Sequence, residues 1–143
     1  MSIRSILSIL SLALVAVSSA GAPVQAYATD TSGSLYLIDL PTATASYIGT
    51  HGQFLEGLAM RPDGYMVGTD TSGDLFSISA ADATPTFLGS TGLGNIEGLS
   101  YAGFSLWGTD FNAGVTFYNI SDSDGSNFGG FPVPGSTRFG CQR

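Results

Sequence analysis

A chain of 143 residues with a formal net charge of −7, 20 glycines and only 10% charged residues has room for one domain built from buried segments joined by tight turns. It has too few charges to read as a set of helices. Its acidity repels nucleic acid and anionic lipid, excludes both as natural partners and leaves cations as the favoured small ones.

The N-terminus reads as a secretory signal peptide. Arg4 is followed by the apolar run Ile6 to Val17, then by small residues in Ser18-Ser19-Ala20 and Val24-Gln25-Ala26. A basic start, a short apolar core and small residues at −3 and −1 are what signal peptidase reads. The run is short for a bilayer span, so no stable membrane anchor is expected in the mature chain. Cleavage is expected after Ala26, with Ala20 as the second candidate. The mature protein is then secreted, periplasmic or extracellular. Beyond residue 26, eleven acids face Arg61, Arg138 and Arg143, with no lysine. Cys141 is the one cysteine, so an intramolecular disulfide is excluded, and its place near the C-terminus reads as incidental.

The segments that follow predict short strands in regular order: Gln25–Thr29, Leu35–Leu40, Ala45–Gly49, Leu55–Met60, Tyr65–Thr69, Leu75–Ala80, Pro85–Gly89, Ile96–Tyr101, Ser105–Thr109 and Val115–Ile120. The turns between them are D-T-S-G, R-P-D-G and A-D-A-T. No helical period is present. The order repeats about every forty residues: A-T-D-T-S-G at 28–33 returns as G-T-D-T-S-G at 68–73, and G-T-D returns at 108–110. Glu56-Gly57-Leu58 likewise returns as Glu97-Gly98-Leu99. Four strands per such period is the pattern of a propeller blade. Leu35-Tyr36-Leu37-Ile38 is apolar on both faces, as expected of a strand with a sheet on either side. The sequence therefore predicts an all-β, β-propeller-like array of about three four-stranded antiparallel blades in an incomplete or open ring. The repeat domain is expected over 27–124, with repeats near 28–67, 68–107 and 108–124. A Gly/Pro/Ser-rich tail follows over 125–143. The first blade is expected to begin at its second strand, its innermost strand being lost to the leader.

The run from Glu56 to Asp70, E-G-L-A-M-R-P-D-G-Y-M-V-G-T-D, resembles the two innermost strands of NHL-type propeller blades and of the gluconolactonase and senescence-marker propellers. That resemblance implies a ring of about six blades, more than this chain supplies. A shortened descendant, self-association to complete a ring, and an open stack are the three ways to reconcile the two. Phe131-Pro132-Val133-Pro134-Gly135-Ser136-Thr137 resembles the start of bacterial PEP-CTERM sorting signals, without the apolar segment and basic cluster that the family implies next.

In an up-and-down blade, the loop before strand one and the loop from strand two to strand three share a face. Glu56, Glu97, Asp30, Asp70 and Asp110 are thus expected on one rim, with Glu and Asp on adjacent strands about 5 Å apart. In D-T-S-G the Asp accepts backbone N–H groups and Gly33 or Gly73 takes the left-handed position, so the three aspartates read as structural turn residues. No turn requires a glutamate before Gly-Leu. The lactonase resemblance implies that Glu56 and Glu97 hold a metal, Ca²⁺ or another divalent cation, although the Asn and Asp partners of those enzymes have no counterpart here. His51 reads as a lone histidine in an exposed loop. Trp107 and Tyr101 read as core aromatics before a sugar platform, and Asn119 opens a glycosylation sequon. No nucleophile, base and acid set stands out. The function expected is a non-enzymatic exported module that binds an extracellular protein or glycan through its acidic loop face. The alternatives are a relative of a metal-dependent lactonase-like hydrolase, or a truncated fragment without independent function. N-terminal sequencing of the exported chain is expected to begin at Tyr27; a start at Met1 in the exported fraction would refute the leader.

Overall fold

The structure is a computed structural model that describes residues 14–17, 24–110 and 116–133. These residues form twelve strands and no helix, in three antiparallel sheets of four. The first sheet runs β1 (Leu14–Val17), β2 (Gln25–Thr29), β3 (Ser34–Asp39) and β4 (Thr44–Thr50). The second runs β5 (Leu55–Met60), β6 (Met66–Asp70), β7 (Asp74–Ile78) and β8 (Pro85–Ser90). The third runs β9 (Ile96–Ala102), β10 (Ser105–Asp110), β11 (Thr116–Ile120) and β12 (Asn127–Pro132). Each sheet is a meander paired in sequence order. β5 packs against β9 and β1 against β5, so the first strands of the three sheets gather on one side and the fourth strands lie outermost. The array is open.

Two boundaries differ from those expected. The third sheet reaches Pro132, past the expected domain end at 124. Its last strand is N-F-G-G-F-P, and glycine hides the strand signal. Gly130 belongs there because a side chain would strike the Tyr118 ring. The first sheet does hold an innermost strand. Leu14-Val15-Ala16-Val17 pairs with Gln25 to Ala28, inside the segment read as the leader. An apolar β-prone tetrapeptide suits a leader core and a strand equally. Cleavage after Ala26 would remove β1 and the first two residues of β2.

The sheets are held together by side chains from both faces of each meander. Leu35 on the first sheet meets Leu55, Leu58, Met66, Phe76 and Ile78 of the second. The other side of the second sheet presents Ala59, Val67 and Leu75 to Ile96, Leu106 and Ile120 of the third. A strand covered on both sides cannot alternate apolar and polar residues, hence the continuous apolar runs.

Glycines recur where backbones meet. A side chain on Gly49 of β4 would run into the Asp82 carbonyl in the β7–β8 turn, and one on Gly89 of β8 would run into the Asp124 carbonyl in the β11–β12 turn. The outer strands of the first and second sheets thus each dock on a turn of the next. That turn keeps one geometry. Ala83 N–H donates to the Ser79 carbonyl at 2.8 Å and Gly125 N–H to the Ser121 carbonyl at 3.0 Å, with Ala83 and Gly125 both left-handed. At the opposite end from the D-T-S-G turns, Arg61 spans two sheets. Its guanidinium donates to Asp63 at 2.9 Å and to Asp122 at 2.9 Å, and Asp122 also accepts the Tyr101 hydroxyl at 2.8 Å.

Gly73 and Gly92 separate two costs. Both have positive φ, but a side chain on Gly73 would also strike the Leu93 carbonyl, whereas Gly92 has open space. Gly92→Ala is expected to cost about 1–2 kcal/mol. Gly73→Ala is expected to cost roughly 2 kcal/mol more, from overpacking. Urea denaturation measures both, and equal losses would contradict the tight contact.

Candidate functional site

The repeated aspartates build turns. Asp30 Oδ1 accepts the N–H groups of Ser32 and Ser34, both at 2.9 Å. Asp70 Oδ1 accepts those of Ser72 at 2.8 Å and Asp74 at 3.0 Å. Gly33 and Gly73 close these turns at φ of 75° and 76°. The second oxygen of Asp30 accepts the Tyr36 hydroxyl at 3.2 Å. Asp110 ends β10 opposite Thr116 and is buried, and its turn over 111–115 lies outside the described residues.

The glutamates are placed by a feature that spacing does not announce. Opposite β6, Leu55 pairs with Asp70 and Gly57 with Thr69, leaving Glu56 as the extra residue of a β-bulge. Opposite β10, Ile96 pairs with Asp110 and Gly98 with Thr109, leaving Glu97 in the same position. A bulge re-aims the side chain of its unpaired residue. Glu97 is exposed and accepts the Asn95 side-chain amide at 3.0 Å. Glu56 is half-buried, and its Oε2, shielded from water, has no hydrogen-bond partner. Burial pushes the Glu56 carboxyl above the usual carboxylate range, and the negative charges of Glu97 and Asp70 push it further the same way. Glu56, Glu97 and Asp70 therefore act as one cluster. Asp30 instead acts on His51.

His51 is not in an exposed loop. It is 4% exposed and pins the first sheet to the segment leading into the second. Nδ1 accepts the Gln53 N–H at 3.3 Å, which makes Nε2 the donor to Thr29 Oγ1 at 2.7 Å. Burial lowers its pKa and keeps the ring neutral. Thr91 has the same role one repeat later, donating to the Gly73 carbonyl at 2.7 Å. Tyr101 is half-buried, and burial and its bond to Asp122 raise its pKa well above normal. Trp107 does not enter the core between the sheets; it lies 5.9 Å from Phe131 on the far side of the third sheet. Asn119 sits within β11, paired with Trp107. Among the described residues no three His, Cys, Asp or Glu side chains converge as a metal ion would require. A shallow depression of about 280 Å³, lined by Tyr65, Ser77, Ser79 and Thr86 among others, lies at the Arg61 end, away from the carboxylates. The histidine pin could have been anticipated from the forty-residue match of His51 with Thr91. The Arg61–Asp122–Tyr101 junction left no local signal.

The fold is that of β-propeller blades. The chain is similar to the solved structure of U3-55K, with a TM-score of 0.57 and 13% identity over 89% of this chain and 41% of that one. It is similar to the WD40 β-propeller domain of Doa1, with a TM-score of 0.57 and 10% identity over 89% and 46%. It is also similar to BamB from Moraxella catarrhalis, with a TM-score of 0.56 and 15% identity over 87% and 37%. The chain spans less than half the length of each of these proteins. Its sequence matches no family profile and none of the curated proteins.

A carboxyl held above its normal pKa destabilises the fold when ionised. For Glu56 this cost is absent below the unfolded-state pKa near 4.5 and develops as pH rises through the higher folded value. Glu56→Gln is therefore expected to raise Tm at pH 7 and to leave it unchanged below about pH 4. Melting curves across pH check this; a variant less stable at pH 7 would contradict it.

Proposed function

We propose that this chain is a β-propeller-type interaction module, exported by its N-terminal leader, that engages a cationic group through the rim formed by Glu56, Glu97 and Asp70. The observation that carries the reading is the partnerless Oε2 of Glu56, in a carboxyl pushed toward protonation by burial and then by two neighbouring acids. A divalent cation, or a basic side chain of a protein partner, would relieve both the missing bond and the repulsion. The fold favours the second occupant. Propeller loops carry recognition on a rigid scaffold, and the similar solved structures include WD40 propellers. The acidic chain would also speed the approach of a basic partner, an effect that fades with salt. The PEP-CTERM-like start at Phe131 agrees with an exported protein. No observation favours the hydrolase reading.

Calorimetric titration with Ca²⁺ and with an oligolysine peptide tests the reading. Heat is expected with at least one probe at low salt, reduced tenfold or more in affinity by Glu56→Gln/Glu97→Gln. Silence with both probes, or binding that the double variant leaves unchanged, would refute it.

A further inference from the structure

We propose, resting on the export reading above, that folding and export compete for one segment. Leu14–Val17 is the core of the leader while the chain is unfolded and the innermost strand of the first sheet once it folds, so a chain that folds first keeps its leader. The apolar run Ile6 to Val17 contains β1, and both expected cleavage points, after Ala20 and after Ala26, lie C-terminal to it.

The folded chain withholds both things that processing needs. One is the apolar core. Leu14, Val15, Ala16 and Val17 pair with Ala28, Tyr27, Ala26 and Gln25, and β1 also lies against β5 of the second sheet. A stretch committed to a ladder is not free to be read as the apolar core of a leader. The other is the scissile bond. Ala26–Tyr27 lies within β2 with a partner on each side: Ala26 stands between Ala16 and Ile38, and Tyr27 between Val15 and Leu37. Ala26 is 0% exposed. Tyr27 is half-buried and packs on the core between the first two sheets.

A peptidase must draw the residues around its target bond into its own site as an extended, hydrogen-bonded segment. Here those backbone groups are already paired and the strand is covered, so cutting has to wait for the sheet to open. That opening is not the fraying of a free end. β3, on the other side of β2, is anchored by Leu35, fully buried among Leu55, Leu58 and Met66 of the second sheet. The antagonism also runs the other way. A cut after Ala26 removes β1 together with Gln25 and Ala26, so the exported chain cannot rebuild the four-stranded first sheet.

An order-of-addition experiment on the full-length chain tests this. The chain is unfolded in urea, then either diluted straight into signal peptidase in detergent micelles or refolded before the peptidase is added, and the products are weighed by mass spectrometry. Direct dilution is expected to give a chain beginning at Tyr27, and prior refolding to lower that yield at least tenfold. Leu35→Asp leaves every leader residue in place and puts a charge at a fully buried core position. It is expected to be cut equally in either order. Hydrogen exchange on the refolded wild-type chain is expected to show residues 14–17 and 25–28 protected together. Equal cutting of the wild type in both orders, after Ala20 or after Ala26, would overturn the inference and leave the leader standing. So would free exchange over 14–17 in the refolded chain. If neither the wild type in either order nor Leu35→Asp is cut, the leader itself is refuted, and the inference with it.

Discussion

The structure depends on the close approach of neighbouring sheets along their first strands. Gly57 of β5 leaves the space that Leu99 of β9 fills, and Thr69 donates across the same junction to the Ile96 carbonyl at 3.1 Å. Any larger residue at position 57 would push the second and third sheets apart. The buried layer of Val67, Leu75, Leu106 and Ile120 would then lose its density, and in a chain this small that layer is a large part of the core. The tripeptide E-G-L therefore joins two requirements in three residues. The glycine and leucine satisfy packing between sheets, and the glutamate before them is left over for the rim.

That division explains why the carboxylates differ although they share a rim. Asp30 and Asp70 are absorbed by their own turns, each oxygen-to-amide bond holding the chain where it reverses. Glu56 and Glu97 are displaced by bulges and hold no turn. Of the two, Glu97 finds Asn95, while Glu56 is left with an unmet oxygen between like charges. The isolated protein is thus raised in energy at one point while the groups around it are satisfied.

Much of this was legible in the residues. Periodic apolar runs and repeated turn tetrapeptides gave the strand order and the four-stranded sheets, and the strands found match those expected except for β1 and β12. The Asx-turn geometry followed from D-T-S-G alone. Less legible were features that depend on what a neighbour covers. His51 looks exposed in a turn between Thr50 and Gly52, yet it is buried because Thr29 and Gln53 close over it. Trp107 looks like core because its strand is apolar on both sides, yet among the described residues no fourth sheet lies beyond it. A bulge adds one residue without changing composition, so the pairing alone reveals it.

The contact of Gly49 with the Asp82 carbonyl, and of Gly89 with the Asp124 carbonyl, is made between main chains. Such a clasp reads the backbone of the receiving turn and, at its left-handed corner, the size of one side chain, since a Cβ on Gly125 would press on the Gly89 main chain. Repeats joined this way drift apart in spelling while keeping one shape. The third meander, whose resemblance to its predecessors fades after Ile120, still presents that turn to the second sheet.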